Sequence, residues 1–379
     1  MSAGEKSVRL FALDSLRGLD MLFLCVVQPI IMGVAHNFGF ADTEAYPFMR
    51  MFQHYWGGFT AYDLIMPLFI FMGGAAVPLA LKKRLDAEGR PTVAYWKHVV
   101  IRFATLWFLG MVAQGRLRSC DPGQFVYFSN TLQSIAVGYV VAALVFLLKS
   151  RTLQIGVTVA LAAVYGLALQ FFGDYSVSGN FAMKVDLAFV GLLQPSGHDT
   201  GCYTWYFTSL MFGVMALCGM HSTLILRSPC APWRKAGTLA ALGVLLFAGG
   251  LALERAGVPC IKQIYTVSFT GQAMGVSILL LASLYVVNDI WMCRRGWWVV
   301  QLFGQCALMA YMLGLIFRVV PDAASRAIFG ELAKRIGGPW EDLVIQLGLA
   351  AVLTFALHLW REHKRSCTSV TVCGCERSL

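Results

Sequence analysis

"QHYWGGFTAYDLIMPLFIFMGG", Gln53 to Gly74, sets a histidine and an aspartate directly before an apolar run. That run, near residues 63 to 81, is one of about ten segments approaching the roughly 20 apolar residues a helix needs to cross a bilayer. The others lie near 17–36, 98–114, 131–148, 153–172, 204–220, 236–253, 266–287, 297–317 and 343–360. None alternates with period two as a barrel strand does, and their ends carry Gly, Pro or charge. The expected fold class is all-α, a polytopic integral membrane protein.

Composition agrees. Hydrophobic residues make up 58% of the 379 and charged residues 13%, with a mean hydropathy of +0.66, whereas a soluble domain carries about a quarter charged residues. Lys and Arg concentrate in the segments that share a side with the N-terminus, including Lys82, Lys83, Arg84, Arg90 and Lys97. Both termini are therefore expected in the cytoplasm, with the loop around His54 facing outward. The formal charge of +10 reads as anchoring to anionic lipid rather than as nucleic-acid binding, since no aromatic-lined basic strip is present. Val8 to Ala35 reads as an uncleaved first helix, because it is too long for a signal peptide and contains Asp20, Gln28 and Pro29. No linker or repeat divides the chain, so residues 1–365 are expected to form one transmembrane domain and 366–379 a cysteine-containing cytoplasmic tail.

Of eleven cysteines, Cys25, Cys218 and Cys306 fall in spans. Cys120, Cys202 and Cys260 map outward, where the pairing of one disulfide stays open. The tail thiols Cys367, Cys373 and Cys375 lack a fourth ligand, and no helical histidine pair appears, so no metal is expected.

Ionisable groups inside spans are costly and hence functional candidates. "LDSLRGLDM" places Asp14, Arg17 and Asp20 at three-residue spacing, which also reads as an N-cap followed by a self-neutralising pair. Asp63 is placed either to cap the following helix or to orient a base. His54, beside Tyr55 and Trp56, can take a proton at neutral pH.

Taken in order, "RLFALDSLRGLDM" and "HYWGGFTAYDLIMPLFIFMGG" resemble the opening of the heparan-alpha-glucosaminide N-acetyltransferase family and its bacterial relatives, with its "LDxxRG" helix and "HxxWxGxxxxDLxxPxFxFxxG" segment. "SNTLQSIAVGY", "NFAMKVDLAFVG" and "PCIKQIYTVSF" are similar to later pieces of that family. The chain departs from the pattern at Gln53, which stands where the family histidine precedes the Trp by three; at Ser134 and Ile261, which replace an Arg and an Asn; and at Gln28, which replaces an Asn.

The resemblance implies transfer of an acetyl group from cytoplasmic acetyl-CoA to an amino sugar or saccharide on the far side of a bacterial cytoplasmic membrane. Arg17, Lys82, Lys83, Arg84 and Arg102 are then the expected ligands of the CoA phosphates. His54 is the expected base with Asp63, while Gln28, Trp56 and Lys262 are candidate oxyanion donors. Asn180 and Asp186 read equally as ligands of sugar hydroxyls and as helix caps. The partners expected are the acceptor and membrane lipid, with a homodimer left open. The competing class is a secondary transporter or flippase for a glycan-related solute.

Overall fold

The computed structural model describes residues 10–42, 46–53, 55–114, 127–193, 203–338 and 340–375. Among these the chain is all-helical, with no strand and only an isolated bridge between Leu85 and Pro91. Seven helical stretches are long and apolar enough to cross a membrane, and an eighth if the bent pair 298–305 and 307–316 counts as one span. Each of the ten expected segments falls on a helix. The segment at 98–114 lies on a helix diluted by Lys97, His98 and Arg102, and that at 131–148 on a helix of only 16 residues.

The described residues cluster into two compact units, 53–282 and a second formed by 1–52 with 283–379. In the second unit α1 (Phe11–Leu22) passes through a π-helical turn, Phe23–Val27, into α2 (Gln28–Asn37). No side chain from Leu10 caps α1, and Asp14 lies in its first turn. The expected Asp14 cap is replaced by Asp289, whose carboxylate accepts the N–H groups of Phe11 and Ala12 at 3.2 and 2.9 Å. Those first N–H groups have no partner within the helix, and Asp289 reaches them from a π-turn, Val286–Ile290.

In the unit 53–282, a short 3-10 turn, Tyr62–Leu64, leads into α3 (Ile65–Ala75) and α4 (Val77–Leu81). Then come α5 (Val93–Ala113), α6 (Thr131–Phe146), α7 (Arg151–Phe172), α8 (Phe181–Leu193), α9 (Ser209–Leu226) and α10 (Pro232–Arg255). Thr92, Asn130 and Ser150 cap α5, α6 and α7 through their side-chain oxygens, as short polar residues at N-caps do. The last helix of this unit, α11 (Val267–Tyr285), runs on past residue 282.

Helix α3 is buried at every residue from Ile65 to Ala75, and it packs on α9 and α6. A helix hydrophobic all round belongs at the centre of a bundle. Its crossing with α9 depends on two reciprocal glycines: a Cβ on Gly74 would strike the Ala216 carbonyl, and one on Gly219 the Phe71 carbonyl. Small residues of this kind let backbones approach where apolar burial alone gives no preference between protein and lipid.

The remaining helices of the other unit are α12 (Trp298–Gln305), α13 (Ala307–Tyr311), α14 (Val319–Ile336) and α15 (Trp340–Cys375). A π-turn, Met312–Ile316, extends α13, and the α12–α13 pair bends by 88°. Helix α15 continues past residue 365 into the segment assigned to the tail. In this unit α1 packs against α12, and α15 against α14.

Gly219→Leu is expected to destabilise the protein by at least the roughly 1–3 kcal/mol typical of overpacking, because the atoms met are backbone. Thermal unfolding of the purified variant checks this; an unchanged midpoint would disprove the close crossing.

Candidate functional site

Polar residues of "HYWGGFTAYDL" and "PCIKQIYTVSF" meet in one place. Asp63 is fully buried and Lys262 is 4% exposed, and their carboxylate Oδ1 and ammonium Nζ lie 3.3 Å apart. The other oxygen, Oδ2, accepts the Thr60 hydroxyl at 2.7 Å and the Thr60 N–H at 3.2 Å. Asp63 therefore turns back toward Thr60 and across to Lys262, and α3 begins without a side-chain cap. This corrects the capping alternative for Asp63.

Lys262 reaches the pair from a loop that is itself interior: every residue from Cys260 to Thr266 is buried. Buried loops must satisfy their own backbone. Here the Tyr265 N–H donates to the Lys262 carbonyl at 2.9 Å and the Thr266 N–H to that of Ile261 at 3.1 Å. Tyr265 adopts φ of 45°, a left-handed conformation uncommon for a bulky residue. Its hydroxyl donates to Met66 Sδ at 2.7 Å and its ring meets Phe212 edge-on, contacts that hold the conformation.

Two hydrogen bonds join this loop to the segment ahead of α3. The Gly58 N–H donates to the Cys260 carbonyl at 2.9 Å, and Gln263 Nε2 donates to the Tyr55 carbonyl at 3.0 Å. The Gln53 carbonyl accepts the Thr60 hydroxyl at 3.3 Å. His54 itself lies outside the described residues, between these two anchored neighbours.

Electrostatics follow from burial. Desolvation lowers Lys262 to about 8, against the opposing pull of Asp63. Burial pushes the Cys260 thiol up to about 12, with Glu254 and Asp63 adding to the effect. Cys260 is a free thiol and so remains protonated, an inert neighbour rather than a nucleophile. Cys120 and Cys202 lie outside the described residues.

Other expected site residues take structural positions. The single indole N–H of Trp56 donates to the Tyr175 carbonyl at 3.3 Å, which removes it as an oxyanion donor. Asn180 Oδ1 accepts the Met183 N–H at 2.7 Å and its amide donates to the carbonyls of Ser176 and Val177, so it caps α8. Asp186 accepts the N–H groups of Trp205, Tyr206 and Phe207 ahead of α9. Burial raises its carboxyl to about 6 even against those three donors. The capping alternative describes Asn180, whereas Asp186 holds the turn that precedes α9.

Lys82, Lys83 and Arg84 form the 3-10 turn at the opposite end of the span Tyr62–Arg84 from Asp63. At 1.5 Å per residue the two ends are about 28 Å apart, close to the thickness of a bilayer's hydrocarbon core. Arg102 lies over the Tyr139 ring, 4.4 Å from its centroid. Arg17 and Gln28 belong to the other unit, where Arg17 lies 3.9 Å from Asp14.

Thr60, Gln263 and Tyr265 are parts of this cluster that sequence reasoning missed. Gln263 is adjacent to Lys262, which is a usable signal; a positive φ at a tyrosine leaves none. Among the described residues no group of three metal-ligating side chains occurs.

The architecture and this buried ion pair define an all-helical protein with membrane-crossing helices and a polar cluster at one end of its central span. A family model described as Domain of unknown function (DUF5009) matches residues 9–249, and the chain belongs to that family. No curated protein matches the chain.

Removing one partner of a buried ion pair strands the other charge, which costs about 3–5 kcal/mol. Asp63→Leu and Lys262→Met should each destabilise on that scale, whereas the same two substitutions combined should recover much of the loss. A double-mutant cycle by thermal or denaturant unfolding tests this, and simple additivity of the single losses would refute the pairing.

Proposed function

We propose that the protein is a transmembrane acetyltransferase, moving an acetyl group from cytoplasmic acetyl-CoA to an amino sugar or saccharide on the other side of a bacterial cytoplasmic membrane. The observation that carries the reading is the single span Tyr62–Arg84, with the Asp63–Lys262 cluster at one end and a cationic turn at the other. A phosphate-bearing donor is held by cations at one face while its extended arm presents the thioester at the other. The reading requires both termini in the cytoplasm, as the distribution of Lys and Arg favours.

In this reading the acceptor amine must lose a proton and the thioester oxygen gains negative charge as the C–N bond forms and the C–S bond breaks. His54 takes the proton, and the leaving thiolate of CoA is protonated on release. Lys262, charged below about pH 8, supplies positive charge to the developing oxyanion. Asp63 fixes the ammonium in place.

His54→Ala should lower acceptor acetylation by about 10²- to 10⁴-fold, the usual worth of a general base, without loss of folded protein. Unchanged turnover removes His54 from the mechanism. Acetyl-CoA hydrolysis and acceptor-stimulated CoA release by the purified protein test the reaction class, and failure to bind acetyl-CoA sinks it.

The pH dependence has a definite sign. Lys262 is protonated in the folded protein below about 8 and neutral above it, so kcat/KM should fall as pH rises through that value. Lys262→Arg retains charge at higher pH and should move this alkaline limb upward; an identical limb in the variant would assign it to another group.

A second reading, a secondary transporter, draws on the other unit. Its α12–α13 pair bends by 88°, and α1 carries the buried Asp20, whose Oδ2 is enclosed without a hydrogen-bond partner among the described residues. Broken helices and buried carboxyls mark solute sites in transporters. Uptake of labelled solute into vesicles lacking acetyl-CoA separates the two readings, since an acetyltransferase gives none.

A further inference from the structure

At the cationic end of the span, α5 and α6 enclose polar atoms that have no hydrogen-bond partner among the described residues. The Tyr95 hydroxyl donates to the Ala143 carbonyl at 2.6 Å, and Arg102 lies over Tyr139, so the two helices run antiparallel with these pairs as rungs. His98 falls between Tyr95 and Arg102 on the same stripe of α5, at i+3 and i−4. Tyr139 is fully buried, yet its hydroxyl has no hydrogen-bond partner among the described residues, and the same holds for the buried Nε2 of His98. Unsatisfied buried polar groups are rare in folded proteins and each calls for an explanation.

The surroundings are uniformly cationic. Arg84, Arg102 and Lys83 all act electrostatically on His98, and Arg102 and Arg84 on Tyr139. Arg84 is held against α5 by a compact connector: the Thr92 hydroxyl donates to the Arg84 carbonyl at 2.7 Å, and Leu85 pairs with Pro91. The carboxylates of that connector are engaged locally. Asp86 accepts the N–H groups of Glu88 and Arg90 at 3.0 and 2.7 Å, and Glu88 pairs with the Arg90 side chain at 2.9 Å. Three cations, one of them Arg84 whose guanidinium also donates to the Ala80 carbonyl, therefore act on two polar groups that have no hydrogen-bond partner among the described residues, an arrangement that suits a multiply charged anion with several acceptor oxygens.

We propose that Tyr139, His98 and Arg102, together with Lys83 and Arg84, form a binding site for a phosphate group. The phosphate belongs either to a soluble nucleotide or to an anionic lipid headgroup, and both present the same oxygens. The site adds His98 and Tyr139 to the donor end of the proposed reaction, but it is tested by binding alone, so its failure and the failure of acetyl transfer are separate results.

The test measures binding of adenosine 3′,5′-bisphosphate and inorganic pyrophosphate to the full chain in detergent, and of phosphatidic acid in nanodiscs, by wild type, Tyr139→Phe and His98→Ala. Hydrogen bonds to charged groups predict a loss of about ten- to a hundredfold in affinity for each variant. Because the Tyr139 hydroxyl has no hydrogen-bond partner among the described residues, Tyr139→Phe should unfold at the same temperature as wild type or higher, which a merely structural role would reverse. Variant-sensitive binding of the bisphosphate identifies a nucleotide site, and variant-sensitive binding of phosphatidic acid alone identifies a lipid site. Binding of none of the three probes, or affinities identical in wild type and both variants, overturns the proposal.

Discussion

The buried ion pair between Asp63 and Lys262 is the constraint on which the unit 53–282 is organised. Burying two charges is expensive, and an ion pair in an apolar interior contributes little net stability over a hydrophobic pair of the same volume. Such a pair instead penalises every arrangement in which the partners fail to meet. Here it ties the entrance of α3 to the loop between α10 and α11, and the hydrogen bonds Gly58 to Cys260 and Gln263 to Tyr55 complete the joint. The left-handed Tyr265 is sustained by the same joint through its bond to Met66, 199 positions away.

This joint needs a rigid base, and α3 supplies it. Buried on every side and locked to α9 by Gly74 and Gly219, the helix has no freedom to rotate without forcing backbone into backbone. Chemical groups at the two ends of the span Tyr62–Arg84, of which α3 is the packed part, are therefore held in fixed relation to each other, which is the condition for a site to be preorganised. The cationic turn at Lys82–Arg84 and the Asp63 cluster differ sharply in character: one is exposed and accumulates positive charge, the other is dry and electrically balanced. An exposed cationic end recruits a soluble or interfacial anion, whereas a dry balanced end strengthens interactions with charge that develops during a reaction.

Much of the fold was legible because the apolar runs are long, and each falls on a helix. The Asp63 and Lys262 residues were legible individually, as charges bordering apolar segments, but their pairing was not, since no local pattern connects positions so distant in the chain. The α12–α13 bend occurs at Cys306, without the proline that usually announces one. The π-turns at Phe23–Val27 and Met312–Ile316 are equally silent; Gly314, which faces Cys25 with no room for a Cβ, is intelligible only once the packing is known. Asn180 and Asp186 showed ambiguous chemistry for a physical reason: an amide that caps a helix, or a carboxylate that holds a turn, uses the same acceptor oxygens that would bind a sugar.

The departure at Gln53 bears directly on the chemistry. An amide cannot take up a proton near neutrality, so Gln53 itself cannot serve as a base. What Gln53 retains is a backbone role, its carbonyl accepting the Thr60 hydroxyl that also holds Asp63. Within the described cluster, Lys262 is then the group whose charge changes near neutral pH, and its state depends on Asp63 remaining ionised beside it. On the proposed acetyl-transfer reading, a charged Lys262 suits an oxyanion and opposes a second cation, so an amine acceptor loses its positive charge before it enters the cluster. On that reading the base is a group outside the buried pair, the role proposed for His54.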